Sequence, residues 1–264
     1  MKGYLALLTI RMKTLFQYRS AALSGICAQL FWCVVQVMIF QAFYDNSSLA
    51  LEAMSLKKTI TFIWLGQGLL QLLPWTIDKE IELHVKNGNV VYELVRPLHL
   101  YGLWFCRSFA LRLIPALMRS PPLFIIGGLF FDLSGPASWE GGVAFSLSVV
   151  CSLFLSTAIT TLMAISLFWT LSGEGIQRLL PHLAVFLSGL TIPLPLFPSW
   201  IQPFMLIQPF RGIFDIPCRL YTGIISPSET LYYLSFQITW TVILIALGQV
   251  LMSRAQLRFV IQGG

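Results

Sequence analysis

Charged residues are scarce in this chain, at 11% of 264 residues, where soluble domains carry about 25%. That shortage excludes an ordinary soluble domain, and a hydrophobic content of 56% makes the chain an integral membrane protein. No Gly-Lys dipeptide occurs. A P-loop is therefore excluded, since it needs a Lys directly after its last glycine to reach the terminal phosphates. "GQG" at 66–68 and "GEG" at 173–175 are glycine pairs for close helix packing or helix-end turns.

Other chemistry is missing too. The five cysteines form no C-x-x-C, and His84, His99 and His182 stand singly, so neither a disulfide framework nor a metal site is indicated. No G-x-S-x-G elbow is present. Every Asp and Glu falls in a predicted loop or span end. Ion-coupled carriers and intramembrane acid-base enzymes place a carboxylate at membrane depth, so both alternatives are disfavoured. The net charge of +6 is spread over short loops without a basic run, which argues against a nucleic-acid partner.

What the chain has in abundance is long apolar runs. A helix needs roughly 20 apolar residues to cross ~30 Å of hydrocarbon, and six segments qualify: 21–43, 59–77, 107–131, 143–171, 179–197 and 231–252. Lys2, Arg11, Lys13, Arg19, Lys79, Lys86, Arg96, Arg178, Arg254 and Arg258 cluster on one side, against Lys57, Lys58, Arg211 and Arg219 on the other. The positive-inside bias then places both termini in the cytoplasm. Residues 1–20, with Leu5, Leu8, Met12, Leu15 and Phe16 at helical spacing, predict an amphipathic helix in the interface, with no cleavable signal peptide.

The longest inside loop is 78–100, between the spans covered by 21–77 and 101–197. Ile77, Ile81, Leu83 and Val85 alternate with charges, Asn87-Gly88-Asn89 is a turn signal, and Val90, Val91, Leu94 and Val95 resume an apolar face until Arg96-Pro97 ends it. A short amphipathic helix bounded in this way is a docking element.

"NGNVVYELVRPLHL" at 87–100, "LPLFPSWIQPFMLIQPFRGIFDIPCRLYTG" at 194–223 and "LRFVIQGG" at 257–264, in that order and spacing, resemble permease subunits of type 2 ATP-binding-cassette (ABC) exporters. The resemblance implies an all-α polytopic fold. It comprises an N-terminal interfacial helix, six transmembrane helices, re-entrant half-helices between spans five and six (198–230), and a last span with a cytoplasmic tail (231–264). The whole chain is then one permease domain of the inner, or cytoplasmic, membrane. It implies a second permease subunit, of the same or another kind, and separate nucleotide-binding subunits that carry ATP and Mg, with no cofactor on this chain. Carried over to 78–97, it makes Asp78, Glu82, Lys86, Gly88, Glu93, Arg96 and Pro97 the expected ATPase-coupling residues, with the charges exposed.

Between Pro193 and Pro217 the prolines are too frequent for a spanning helix and the apolar residues too many for a soluble loop. Irregular backbone at membrane depth survives where protein or a wet cavity covers it. This segment is expected to cap the exit of the pathway, with Trp200, Phe204, Phe210 and Phe214 as outer gate candidates.

Arg112 and Arg119 sit one heptad apart on the third predicted span. A guanidinium at the bilayer centre costs at least ~2.5 kcal/mol, so each needs a partner or a hydrated pathway. Arg112 has the inner headgroups within reach; for Arg119 a structural and a pathway-lining role stand open. Gln29, Gln36, Gln67 and Gln71 are either lining groups or interhelical glue. The function expected is outward, ATP-driven movement of an amphipathic, drug-like or lipid-linked substrate.

Overall fold

The computed structural model describes residues 2–17, 19–46, 55–95, 97–131, 133–170 and 172–262. No strand occurs among them. Helix α1 (Lys2–Phe16) precedes α2 (Arg19–Asn46), and α3 (Leu56–Leu69) runs into a 3-10 turn at Leu70–Leu72. Two short helices follow, α4 (Lys79–Lys86) and α5 (Val91–Leu94), before the long α6 (Leu100–Phe130) and α7 (Trp139–Thr170). After α8 (Glu174–Leu187) come the short α9 (Gln202–Ile207) and α10 (Asp215–Tyr221), and α11 (Thr230–Gln262) closes the chain.

Four helices among the described residues are long and apolar enough to cross a membrane: α2, α6, α7 and α11. The second and fifth predicted spans are each helical for only part of their length, and both interruptions have a local cause. Leu73 precedes Pro74, which pushes it out of the helical region, and it adopts φ −66 and ψ 149. Downstream, Gly189 takes φ +84, a left-handed conformation in which a Cβ would be strained, and ends α8 two residues after Leu187. Helix α6 starts at Leu100, earlier than the predicted 107, so Arg107 lies well inside it.

Helix α1 docks on the start of α6. Tyr4 Oη accepts the His99 backbone N–H at 2.8 Å. Gly102 provides the space, since a Cβ there would meet the Tyr4 ring at 3.0 Å. One apolar core joins α3, α7, α8 and the 213–218 stretch through Phe62, Leu69, Leu155, Ala184 and Phe214. A second joins the loop helices to the long ones, with Ile77, Ile81, Val85 and Val90 against Leu103, Trp104, Met163 and Leu167.

Candidate functional site

The loop predicted to dock is held from below by a buried carboxylate. Glu93 is 1% exposed. Its Oε2 accepts the Trp104 indole N–H at 2.8 Å, and its Oε1 lies 3.0 Å from His84 Nδ1 and 2.9 Å from Arg107 Nη1. Trp104, stacked on Phe168 with ring centroids 5.2 Å apart, carries this anchor into the α6 and α7 packing. The expectation of an exposed Glu93 is therefore corrected. Its carboxylate is surrounded by three polar partners from α4 and α6, because only a paired charge tolerates such burial.

The remaining loop residues divide by position. Asp78 caps α4, accepting the Glu80 N–H at 2.8 Å. Glu82, half-buried, pairs with Lys86 at 3.0 Å and accepts from Gln177 Nε2 at 3.1 Å, which ties α4 to α8. Lys86 and Pro97 are exposed, as is Gly88, whose φ of +72 makes the turn between α4 and α5. Arg96 lies outside the described residues. Arg11 of α1 grips Glu80 through both terminal nitrogens. Burial works to raise the Glu80 carboxyl, but Arg11, Arg107 and His84 outweigh it and hold it below the ordinary range. Glu82 is likewise lowered, burial being outweighed by Lys86 and Gln177.

The apolar pattern of the loop separates into two faces. Ile81, Val85 and Val90 are buried, whereas Leu83, Val91, Tyr92, Leu94 and Val95 are exposed. The sequence pattern groups Leu83 with Ile77, Ile81 and Val85, and sets Val90, Val91, Leu94 and Val95 on one apolar face. In the structure α5 is a single turn pinned by Glu93, so its neighbours point outward. A strip of exposed apolar side chains thus sits on a rigid mount.

Behind the loop, Arg112 closes the break after α3. It is 3% exposed. Its Nη1 donates to Leu73 O at 2.9 Å, its Nη2 to Thr76 O, and its Nε to Thr160 Oγ1 at 3.3 Å. The carbonyls it takes are those that an intact helix would have satisfied. Snorkelling to the headgroups is not its solution: the guanidinium is bound to backbone that Pro74 freed.

Arg112 meets a stripe on α7 that the sequence reading did not single out. Ser148, Ser152, Ser156 and Thr160 recur every four residues and are fully buried. Ser156 Oγ donates to Leu72 O, and Ser152 Oγ to Gly212 O at 2.9 Å. Ser148 Oγ donates to Gln237 Oε1 at 3.1 Å, while Gln237 Nε2 donates to Gly212 O at 2.6 Å. The signal was present as small hydroxyl residues at i, i+4 spacing. Its reading needed the irregular segments that supply the acceptors.

Gln29, Gln36 and Gln67 are brought together between α2 and α3. Gln29 Nε2 donates to Gln67 O at 2.9 Å, and Gln67 Nε2 donates to Gln36 Oε1 at 2.9 Å. Gln71, half-buried in the 3-10 turn, stands apart from this chain of bonds. Arg119 lies across Gly25 of α2, where a Cβ would come within 2.3 Å of its Cζ. The outer candidates also divide. Trp200 and Phe204 are exposed and Phe210 is half-buried, but Phe214 is 2% exposed and packs edge-on to Phe62. Phe214 is thus a core residue of this fold.

Asp215 was read as a loop acid. It is fully buried between Arg211 at 3.5 Å and Arg219 at 3.6 Å, each four residues away. Arg211 also lies 5.6 Å from the centroids of both Tyr233 and Phe236. A carboxylate flanked by two guanidiniums on neighbouring turns braces the segment.

These features define a multi-pass helical membrane protein whose 78–97 loop is tied to its long helices. Residues 25–263 match the family model described as ABC-2 family transporter protein, and the chain belongs to that family. Such chains are membrane subunits of ABC transporters, and membership implies an ATP-binding partner subunit. No curated protein and no solved structure matches the chain.

Proposed function

We propose that this chain is the permease half of an ATP-driven exporter that moves an amphipathic, drug-like or lipid-linked substrate outward. ATP and Mg reside on a separate nucleotide-binding subunit, and a second permease, of the same or another kind, completes the assembly. The observation that carries this reading is the mount of the 78–97 loop. Leu83, Val91, Tyr92, Leu94 and Val95 form an exposed apolar strip, while Glu93 and Arg107 lock its other side to α6. A partner that pushes on this strip moves α6 as one body, because the buried pair and the Trp104 bond leave little slack.

In this assignment all six apolar segments cross the inner membrane, the second and fifth partly as broken helix. Both termini and residues 78–100 lie in the cytoplasm, and 198–230 forms the re-entrant segment facing outward. Broken backbone at that depth is supported by the hydroxyl stripe of α7, by Gln237 and by Arg112, which satisfy the freed carbonyls.

The test is purification of the chain with its co-expressed neighbours from the native membrane. An ATPase that co-purifies with the parent, and is lost when Val91 and Tyr92 are changed to Asp, is the expected result. A Gly88→Cys label reached only from outside the cell would overturn both topology and function.

A further inference from the structure

Two cavities adjoin at the meeting of α1, α6 and α11, where His99 leads from the loop into α6. The first, of 510 Å³, has a hydrogen-bonding wall of Tyr4, His99, Tyr101, Gln249, Ser253 and Gln256. Among the described residues no Asp, Glu, Lys or Arg lines it. The second, of 440 Å³, is walled by Leu5, Phe105, Cys106 and Ile245, and shares Tyr4, Tyr101 and Gly102 with the first. Tyr101 is 8% exposed and lines both, and its buried hydroxyl has no hydrogen-bond partner. A buried hydroxyl left unmatched costs about 1–3 kcal/mol, so this one is provided for something the protein itself does not supply.

The two tyrosines are seated there by two glycines. A Cβ on Gly248 would come within 2.6 Å of the Tyr101 ring, and one on Gly102 within 3.0 Å of the Tyr4 ring. Along α11 the site runs from Gln256 to Ile245, about 16 Å at 1.5 Å per residue. That length takes a small head and the first part of a hydrocarbon chain. A wholly polar solute would leave the apolar half bare, and a pure hydrocarbon would leave the Tyr101 hydroxyl unmatched.

We propose that the two cavities form one binding site for an amphiphile of the adjoining leaflet. Its hydrocarbon chain lies against Leu5, Phe105 and Ile245, and an uncharged, hydroxyl-bearing head accepts from Tyr101 and meets Gln249 and Gln256. An uncharged head follows from a polar wall without a full charge: an anion or cation would be desolvated there without a counter-charge. The site is separate from the loop at 78–97 and stands whether or not the exporter reading holds.

The probe is monoolein, which has one chain and a glycerol head, added to the full chain in phosphatidylcholine nanodiscs while thermal stability is followed. The parent should show a saturable rise in Tm. Methyl oleate, with the same chain and no hydroxyl, should give none. Tyr101→Phe removes only the unmatched oxygen, so the variant should fold at least as well as the parent. It should bind monoolein roughly three- to tenfold more weakly, the loss of about one hydrogen bond. Gln249→Ala, at an exposed position, should weaken it in the same direction.

Equal affinity in parent and Tyr101→Phe would overturn the proposal. So would a methyl oleate response matching that of monoolein, or stronger binding of anionic lysophosphatidic acid. A parent indifferent to monoolein whose Gln256→Cys form cross-links to a second copy would show the cavities to be an interface, and would overturn it too. If monoolein binding persists in the reconstituted transporter and monoolein is itself moved, the amphiphile is cargo; if it binds without being moved, it is a resident lipid. Both results uphold the site.

Discussion

Arg107 stands 2.9 Å from Glu93, with side chains 5% and 1% exposed, and this pair joins the loop at 78–97 to the first turns of α6. Charges buried this deeply are intolerant of losing one partner, since the survivor stays desolvated. Replacing Glu93 with Ala should therefore destabilise the protein by about 3–5 kcal/mol. Glu82→Ala removes a part-exposed carboxylate held by Lys86, Gln177 and the Gly173 backbone, and should change stability by about 0.5 kcal/mol or less. Thermal unfolding of the two variants tests the difference; equal effects would remove Glu93 from its anchoring role.

Arg112 should be harder to replace by Leu than Arg119. Arg112→Leu leaves the Leu73 and Thr76 carbonyls without their donor, at about 1–3 kcal/mol for the buried Leu73 acceptor. Arg112→Lys retains one of the bonds and should fall between parent and Leu. The expected order of Tm is parent, then Lys, then Leu. A Leu variant as stable as the parent would mean that the break after α3 is held by other groups.

Arg119 and Gly25 should behave as a coupled pair. Gly25→Ala places a methyl where the guanidinium lies and should destabilise the parent. In an Arg119→Leu background, where the planar group is gone, the same change should cost less. Substrate-stimulated ATPase activity of Arg119→Lys and Arg119→Leu then reads function. If both keep full activity and stability, the pathway is to be sought along Gln29, Gln36 and Gln67.

Docking of α1 should depend on pH through Glu80. Its carboxyl is held below the ordinary range in the folded protein, so the stabilisation is complete above the ordinary carboxylate pKa and is lost as pH falls through the lowered value. Hydrogen exchange in α1 should rise on acidification through that window. Glu80→Gln should show the faster exchange already at neutral pH, with no further change. An α1 whose protection is independent of pH in the parent would show that Tyr4 and the apolar contacts alone hold it.

Asp215 should be the least replaceable acid of the outer segment. Asp215→Ala leaves Arg211 and Arg219 facing each other in a buried site, at about 3–5 kcal/mol. The paired change with Arg219→Leu, which removes one of the two excess charges, should recover part of the loss. Full stability of the single variant would place the brace of this segment in the Gln237 bond to Gly212 instead.

Composition, run length and the order of local signals determined much of this protein before any packing was known. The long apolar runs predict α2, α6, α7 and α11, because a spanning helix satisfies its own backbone and needs only length and hydropathy. The α4 helix, the Gly88 turn and the proline-broken outer segment were legible for the same local reason. Only the tertiary structure decided which charges are buried. Glu93 reads as a loop acid, and becomes an anchor because Trp104, His84 and Arg107 converge on it from residues 9 to 14 positions away. Ser156 and Ser152 drew no notice in the sequence, and act as donors because Leu72 and Gly212 present freed carbonyls 84 and 60 residues distant. Hydrophobic periodicity records which side of a helix avoids water; it holds no record of which distant backbone carbonyl will lack a partner, and that was settled when the broken helices packed against α7.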